Sequence, residues 1–183
     1  MSWYVDHPAD LEIINEIQNP QLSDRLVAVI AVAFLDDRLK ARLAGWLIDD
    51  AEASNKLLKP NGPLGGYGNR VDLGYSLGMY GKLIRDELAV VGKVRNDFAH
   101  RPHSLNFGSK HFKEDFDRFK LIPAWATPDG NFLYGHENVS VAMIIGGPTP
   151  VPTNNRGRFL VTVELLFAAV SLQTARHPQA AEY

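Results

Sequence analysis

Six consecutive residues, Arg95-Asn96-Asp97-Phe98-Ala99-His100, carry the strongest chemical signal in the chain. An imidazole exchanges a proton near neutral pH, and a guanidinium presents a planar fork of N–H donors that fits phosphate. Those two groups suffice for metal-free cleavage of RNA, with His100 moving the proton and Arg95 holding the phosphate. The same residues also have a structural reading. Arg95 then pairs with a buried carboxylate, Asn96 is an ordinary polar surface residue, and His100 offsets the negative C-terminal end of its helix. Asn96 and His100 are four apart and share a helix face. Arg95 is turned about 140° from His100, onto the edge of the apolar stripe.

The element that positions them is a helix over Leu83 to Arg101, stopped at Pro102, with Ile84, Leu88, Val91, Val94 and Phe98 on its apolar side. Before it, Leu11, Ile14 and Ile17 predict a short amphipathic helix ending ahead of Pro20. Ser23 is a good N-cap, and Asp24 suits the positive end, for a long helix running to about Asp50. Val29, Val32, Leu39, Leu43, Trp46 and Leu47 fall on one face of it, together with Arg25 and Asp36. Charged side chains are rarely buried without partners, so Asp36 is expected in a buried polar network with Arg95, with Arg25 or Arg70 as rival partners. Asp37, Arg38 and Arg42 point elsewhere and read as solvated charges.

Arg70 to Tyr80 reads as a helix C-capped by Gly81, with Gly74 and Gly78 on one face where a second helix could approach closely. Ser109 to Lys120 supplies an amphipathic segment through Phe112, Phe116 and Phe119. Residues 121–155 lose the helical period to repeated Pro and Gly, and two short apolar runs there predict a small β-hairpin around 130–146. A last helix, 156–176, resumes apolar periodicity from Arg158 to Ala175.

Composition narrows the chemistry. With 183 residues and 45% hydrophobic content, the chain can build one core without metals or cross-links. It has no cysteine, so disulfides, Cys-ligated zinc and thiol chemistry are excluded. The opening Met-Ser-Trp-Tyr-Val-Asp-His-Pro does not read as a secretory signal, and the longest apolar run, Leu26 to Leu35, is far short of a bilayer span. A cytoplasmic location without membrane insertion is the expectation. The net charge of −2 offers no broad attraction to phosphate, and there is no helix-turn-helix pattern or basic stripe, so direct DNA binding is not expected.

Other motifs are weaker. The segment Lys59-Pro-Asn-Gly-Pro-Leu-Gly-Gly-Tyr-Gly68 is glycine-rich and precedes a helix, but it lacks the Lys-Ser/Thr ending of a phosphate-cradling loop and reads as a turn. His7, His103, His111, His136 and His177 are scattered without metal-ligand spacing, so no metal and no cofactor are expected. Asn138-Val139-Ser140 matches a glycosylation acceptor by letter only.

Four stretches in order carry a resemblance: Ser23-Asp-Arg25; Phe34-Leu-Asp-Asp-Arg-Leu39; Pro63-Leu-Gly-Gly-Tyr-Gly-Asn-Arg-Val-Asp-Leu-Gly-Tyr-Ser-Leu-Gly78; and Val94-Arg-Asn-Asp-Phe-Ala-His100. Together they resemble the mannitol operon repressor (MtlR) family, over roughly residues 10–120. The Arg-Asn-x-x-x-His portion also resembles the signature of the HEPN superfamily, which includes ribonucleases and toxins. The resemblance implies an all-α helical bundle, a role in regulating carbohydrate metabolism through a protein partner, and an HEPN-like homodimer.

The expectation is therefore a single helical domain over 1–183, with a family-like core, an irregular insertion at 121–155 and a C-terminal helix. Three functions remain open: a non-enzymatic transcriptional regulator working through protein partners; a metal-independent endoribonuclease using Arg95, Asn96 and His100, with RNA as partner; and a small-ligand sensor with a polar pocket around Asp36, Arg70, Asp72 and Arg95.

Overall fold

The structure, a computed structural model, describes residues 7–101, 105–122, 131–134, 137–140 and 152–172. His103, His136 and His177, the Pro102 stop and the end of the last expected helix lie outside them. The described residues form an all-α bundle with one small hairpin. In chain order the elements are α1 (Asp10–Gln18), α2 (Asp24–Ala44), α3 (Ala51–Leu58), α4 (Tyr67–Ser76), α5 (Lys82–His100), a 3-10 turn (Lys110–Phe112) running into α6 (Lys113–Asp117), β1 (Asn131–Tyr134), β2 (Glu137–Ser140) and α7 (Asn155–Ser171). The strands pair antiparallel, Asn131 opposite Ser140 and Tyr134 opposite Glu137, within the segment read as a hairpin.

Helix α7 is the centre. Every residue from Phe159 to Ser171 is buried, so this helix is apolar nearly all round and must be enclosed by others. It packs on α2 and α5, and α2 in turn packs on α5. Phe34 of α2 stacks on Phe167 of α7 with centroids 4.4 Å apart. Arg38 covers the other side of that contact, its guanidinium 4.7 Å from the Phe167 centroid and 2.7 Å from Asp10 of α1. Arg38 is thus no solvated charge: its stem and head close the core between α1, α2 and α7. The buried arc of α2 is also wider than one stripe, taking in Val27, Ala28, Ala31, Phe34 and Leu35 beside Val32, Leu39 and Leu43, while Val29 is only half-buried.

The ends of the bundle are tied by polar contacts. Ser23 caps α2, its hydroxyl accepting from Leu26 N at 3.3 Å, and Asn154 caps α7 through Gly157 N at 2.7 Å. Arg156 donates to Leu22 O (2.7 Å), Asn19 O (2.8 Å) and Asp24 (2.9 Å), stitching the start of α7 to the α1–α2 turn. Asp24 also accepts from Phe107 N at 2.8 Å, so it does more than complement a helix dipole. Beside it, Phe98, Phe107, Phe112, Phe116 and Phe159 form a continuous ring cluster, with Phe98–Phe112 at 4.7 Å and Phe107–Phe159 at 4.9 Å.

Two of the buried carboxyls, Glu87 and Glu164, lack a cationic partner among the described residues. Burial raises Glu164 of α7 from 4.5 to about 7, and its Oε1 has no hydrogen-bond partner among the described residues. Burial likewise raises Glu87 of α5 to about 7, against the lowering effect of backbone N–H groups of Lys120 and Leu121, which it accepts.

Three boundaries differ from expectation. Helix α2 stops at Ala44, with Gly45 as C-cap, instead of reaching Asp50, and Asp50 N-caps a separate α3 by accepting from Ala53 N at 3.0 Å. Helix α4 starts three residues early and ends at Ser76, so Gly81 is the N-cap of α5; the left-handed residue is Gly78, at φ 73°. Gly74 admits no second helix. A Cβ there would sit 2.4 Å from the hydroxyl of Tyr80, which folds back to donate to Val71 O at 2.9 Å. Tyr80 is fully buried and cannot swing away, so Gly74→Ala should lose about 1 to 3 kcal/mol by overpacking, more than the ~1 kcal/mol that alanine adds in helix propensity. Denaturant unfolding checks this, and a Tyr80→Leu background should remove most of the loss.

Candidate functional site

The site is built by docking α4 against α2 and α5. Arg70, one turn into α4, is buried and forks onto Asp36 of α2, Nε to Oδ1 at 2.9 Å and Nη2 to Oδ2 at 2.6 Å. Its remaining nitrogen donates to Leu64 O at 2.5 Å. Asp36 therefore has its partner in Arg70, and the expected Asp36–Arg95 pair does not form. The reason is positional: α4 lies on the side of α2 that carries Asp36, while Arg25, in the first turn of α2, reaches Arg101 O at the end of α5 at 2.8 Å. The two-pronged geometry makes this a strong pair.

The glycine-rich segment serves that docking. Gly62 and Gly65 press on the chain just before them, where an added Cβ would lie 2.4 Å from Leu57 O and 2.1 Å from Pro60 O. The loop folds back on the end of α3, Leu64 N donating to Leu57 O at 3.0 Å, and so presents the Leu64 carbonyl to Arg70. It is a turn, as read.

Between α4 and α5 lies a cleft of about 550 Å³. Tyr67 is its key wall residue, and sequence reasoning passed over it. Its ring lies against Gly92, where a Cβ would come within 2.6 Å of the ring edge, and its hydroxyl donates to Leu88 O at 3.0 Å. Burial holds the Tyr67 phenol well above its ordinary pKa; the Asp36 charge adds to this and Arg95 and Arg70 oppose it. Val71 and Ala89 complete an apolar floor.

The charged rim is mostly self-neutralised. Arg85 holds Asp72 at 3.0 and 3.1 Å and lies over the Tyr75 ring at 5.5 Å. Lys93 bridges Asp97 (3.1 Å) and the buried Asp115 of α6 (2.7 Å). Asp97 also takes Arg101 at 3.3 Å and His111 Nε2 at 2.8 Å. Partial burial pushes the Asp97 carboxyl up, but hydrogen bonds from His111, Lys93 and Arg101 outweigh it and hold it at about 2. His111, scattered by spacing, is thus placed by the fold on Asp97, to which the sequence alone gave no role.

Arg95 also lines the cleft, half-buried, and among the described residues it has no hydrogen-bond or ion-pair partner. Asn96 lines it too and is exposed. His100 is exposed in the last turn of α5 and is not part of the lining. Of the expected pocket residues, then, Asp72 and Arg95 reach the cleft; Asp36 and Arg70 form the pair that holds α4 in place, and Arg25 is elsewhere.

No protein-family model matches the chain, and no curated protein matches it in sequence. Among solved structures, a chain of the MtlR–HPr complex from Escherichia coli shares the fold with a TM-score of 0.64 at 18% identity, over 91% of this chain and 100% of that one. No helix among the described residues is long and apolar enough to cross a membrane.

The two arginines should separate cleanly in stability. Arg70→Ala leaves a largely buried carboxylate unpaired and should cost about 3 to 5 kcal/mol, whereas Arg95→Ala should cost about 1 kcal/mol or less. Denaturant unfolding of Asp36→Ala, Arg70→Ala and the double variant should give strongly non-additive losses. Additive losses, or a large Arg95→Ala effect, would contradict the assignment.

Proposed function

We propose that the chain is a mannitol repressor-like regulatory protein of the cytoplasm that acts by docking a protein partner of the HPr type rather than by reading DNA. The observation that carries this is the shared fold over the full length of a chain from the MtlR–HPr complex. The ordered run of stretches from Ser23 to His100 supports it independently. The net charge of −2 and the self-neutralised rim of the cleft give no phosphate-tracking surface, which argues against operator binding by this chain alone. Isothermal titration of the purified chain with the HPr protein of its own organism should give saturable one-to-one binding with a Kd of about 10 μM or tighter. Absence of heat and of any mobility change at that concentration would defeat the reading.

A second reading is favoured by one observation: Arg95 is unused by the scaffold and stands in a cleft beside Asn96. In an HEPN-like endoribonuclease it would hold phosphate while His100 moves the proton. Since His100 projects about 140° around α5 from Arg95, the reading requires substrate to reach around the helix, or a second copy in a symmetric homodimer. Cleavage of varied RNAs in EDTA, leaving a 2′,3′-cyclic phosphate and lost in His100→Ala, would establish it; intact RNA throughout would remove it.

A further inference from the structure

We propose that the α4–α5 cleft binds a small organic anion whose carboxylate or phosphate group is held by the Arg95 guanidinium.

The charge arrangement leads there. The lining holds three cations and two carboxylates, and each carboxylate is already engaged: Asp72 by Arg85, Asp97 by Lys93, Arg101 and His111. Lys93 is satisfied further by Asp115. Asp36, the remaining acidic group whose charge Tyr67 senses, is closed by the two-pronged contact with Arg70. One guanidinium is left over. A solvated surface arginine would need no counter-ion, but Arg95 is half-buried, and a cation partly removed from water is stabilised by a charged acceptor. Its planar fork selects an oxyanion with two accepting oxygens.

Size and shape define the rest of the ligand. The volume of about 550 Å³ lies within the range of small-molecule sites. Tyr67 and Ala89 offer apolar surface in the cleft that holds the cation, so the anion carries an apolar or ring-shaped body and is not a bare inorganic ion. That surface is kept open by design of the packing. The contact with Gly92 and the bond to Leu88 O fix the Tyr67 ring on α5, so it cannot fold over the guanidinium. Asn96 adds an exposed amide at the rim, able both to donate and to accept. The site needs no protein partner and is tested without one, so it stands or falls separately from the regulatory reading.

The probes are phenyl phosphate and benzoate, with inorganic phosphate and benzyl alcohol as comparisons, titrated into the full chain at physiological ionic strength and followed by calorimetry and thermal melting. At least one aromatic anion should bind saturably with a Kd of about 1 mM or tighter and raise the melting temperature. The phosphate and carboxylate arms tell the two head groups apart. Inorganic phosphate should bind more weakly, and benzyl alcohol should not bind. Arg95→Gln should weaken binding at least tenfold with its unliganded melting temperature nearly unchanged, Arg95→Lys should weaken it less, and Lys40→Gln, which removes an exposed cation on α2, should have no effect. If neither aromatic anion binds saturably, or if Lys40→Gln weakens binding as much as Arg95→Gln, the proposal is overturned.

Discussion

The rest of the structure depends on enclosing α7. A helix buried without interruption from Phe159 to Ser171 has no solvent face, so its neighbours must cover it on every side. This explains why α2 is buried over a broad arc rather than a narrow stripe, and why Arg38 lies flat over Phe167 instead of reaching into water. It also explains the polar stitching at the start of α7, where Arg156 satisfies two carbonyls and Asp24 at once. With α2 and α5 committed to that core, their outer flanks are what remain for α4, and the cleft forms at that outer layer.

Within the outer layer, two arginines of similar sequence context do opposite things. Arg70 is consumed by structure: it faces α2, finds Asp36 and a loop carbonyl, and sets the position of α4. Arg95 is left free by the same arrangement, since Asp36 is already taken by Arg70. The ordinary alternative, that Arg95 is a solvated charge with no task, rests on its partial exposure. Against it stand the cleft, the apolar floor beside the guanidinium, and the pairing of every other cation in the lining.

Much of the fold was legible in the sequence because helical periodicity reports burial directly. Ile84, Leu88, Val91, Val94 and Phe98 are all buried as their spacing demands, and Ser23 caps α2 as its residue type predicts. The missed break at Gly45 has a physical cause: Trp46 and Leu47 continue the apolar phase for one turn after the helix has ended, both half-buried. Asp50 followed by Ala51-Glu-Ala53 was the available signal for a new N-terminus. The site was less legible, since ion-pair partners depend on how helices dock. Periodicity placed Asp36 and Arg95 on inward faces, yet only the packing of α4 decides which arginine meets the carboxylate. His111 and Asp97 lie 14 residues apart on different elements, and no local pattern links them. Tyr67 could have been found by asking what fills the space beside Gly92, a glycine on the buried side of α5.

Glu87 and Glu164 give the folded chain an electrophoretic identity different from that of the unfolded one. Both carboxyls shift from 4.5 to about 7, so between those values the native state retains protons that the denatured chain has released. Folding in that interval therefore takes up protons, and raising the pH through it weakens the native state. The formal charge of −2 counts both groups as ionised. Each retained proton makes the folded molecule less negative than the unfolded chain at the same pH, so its point of zero charge lies at a higher pH, where repulsion between copies is least and association or precipitation comes most easily.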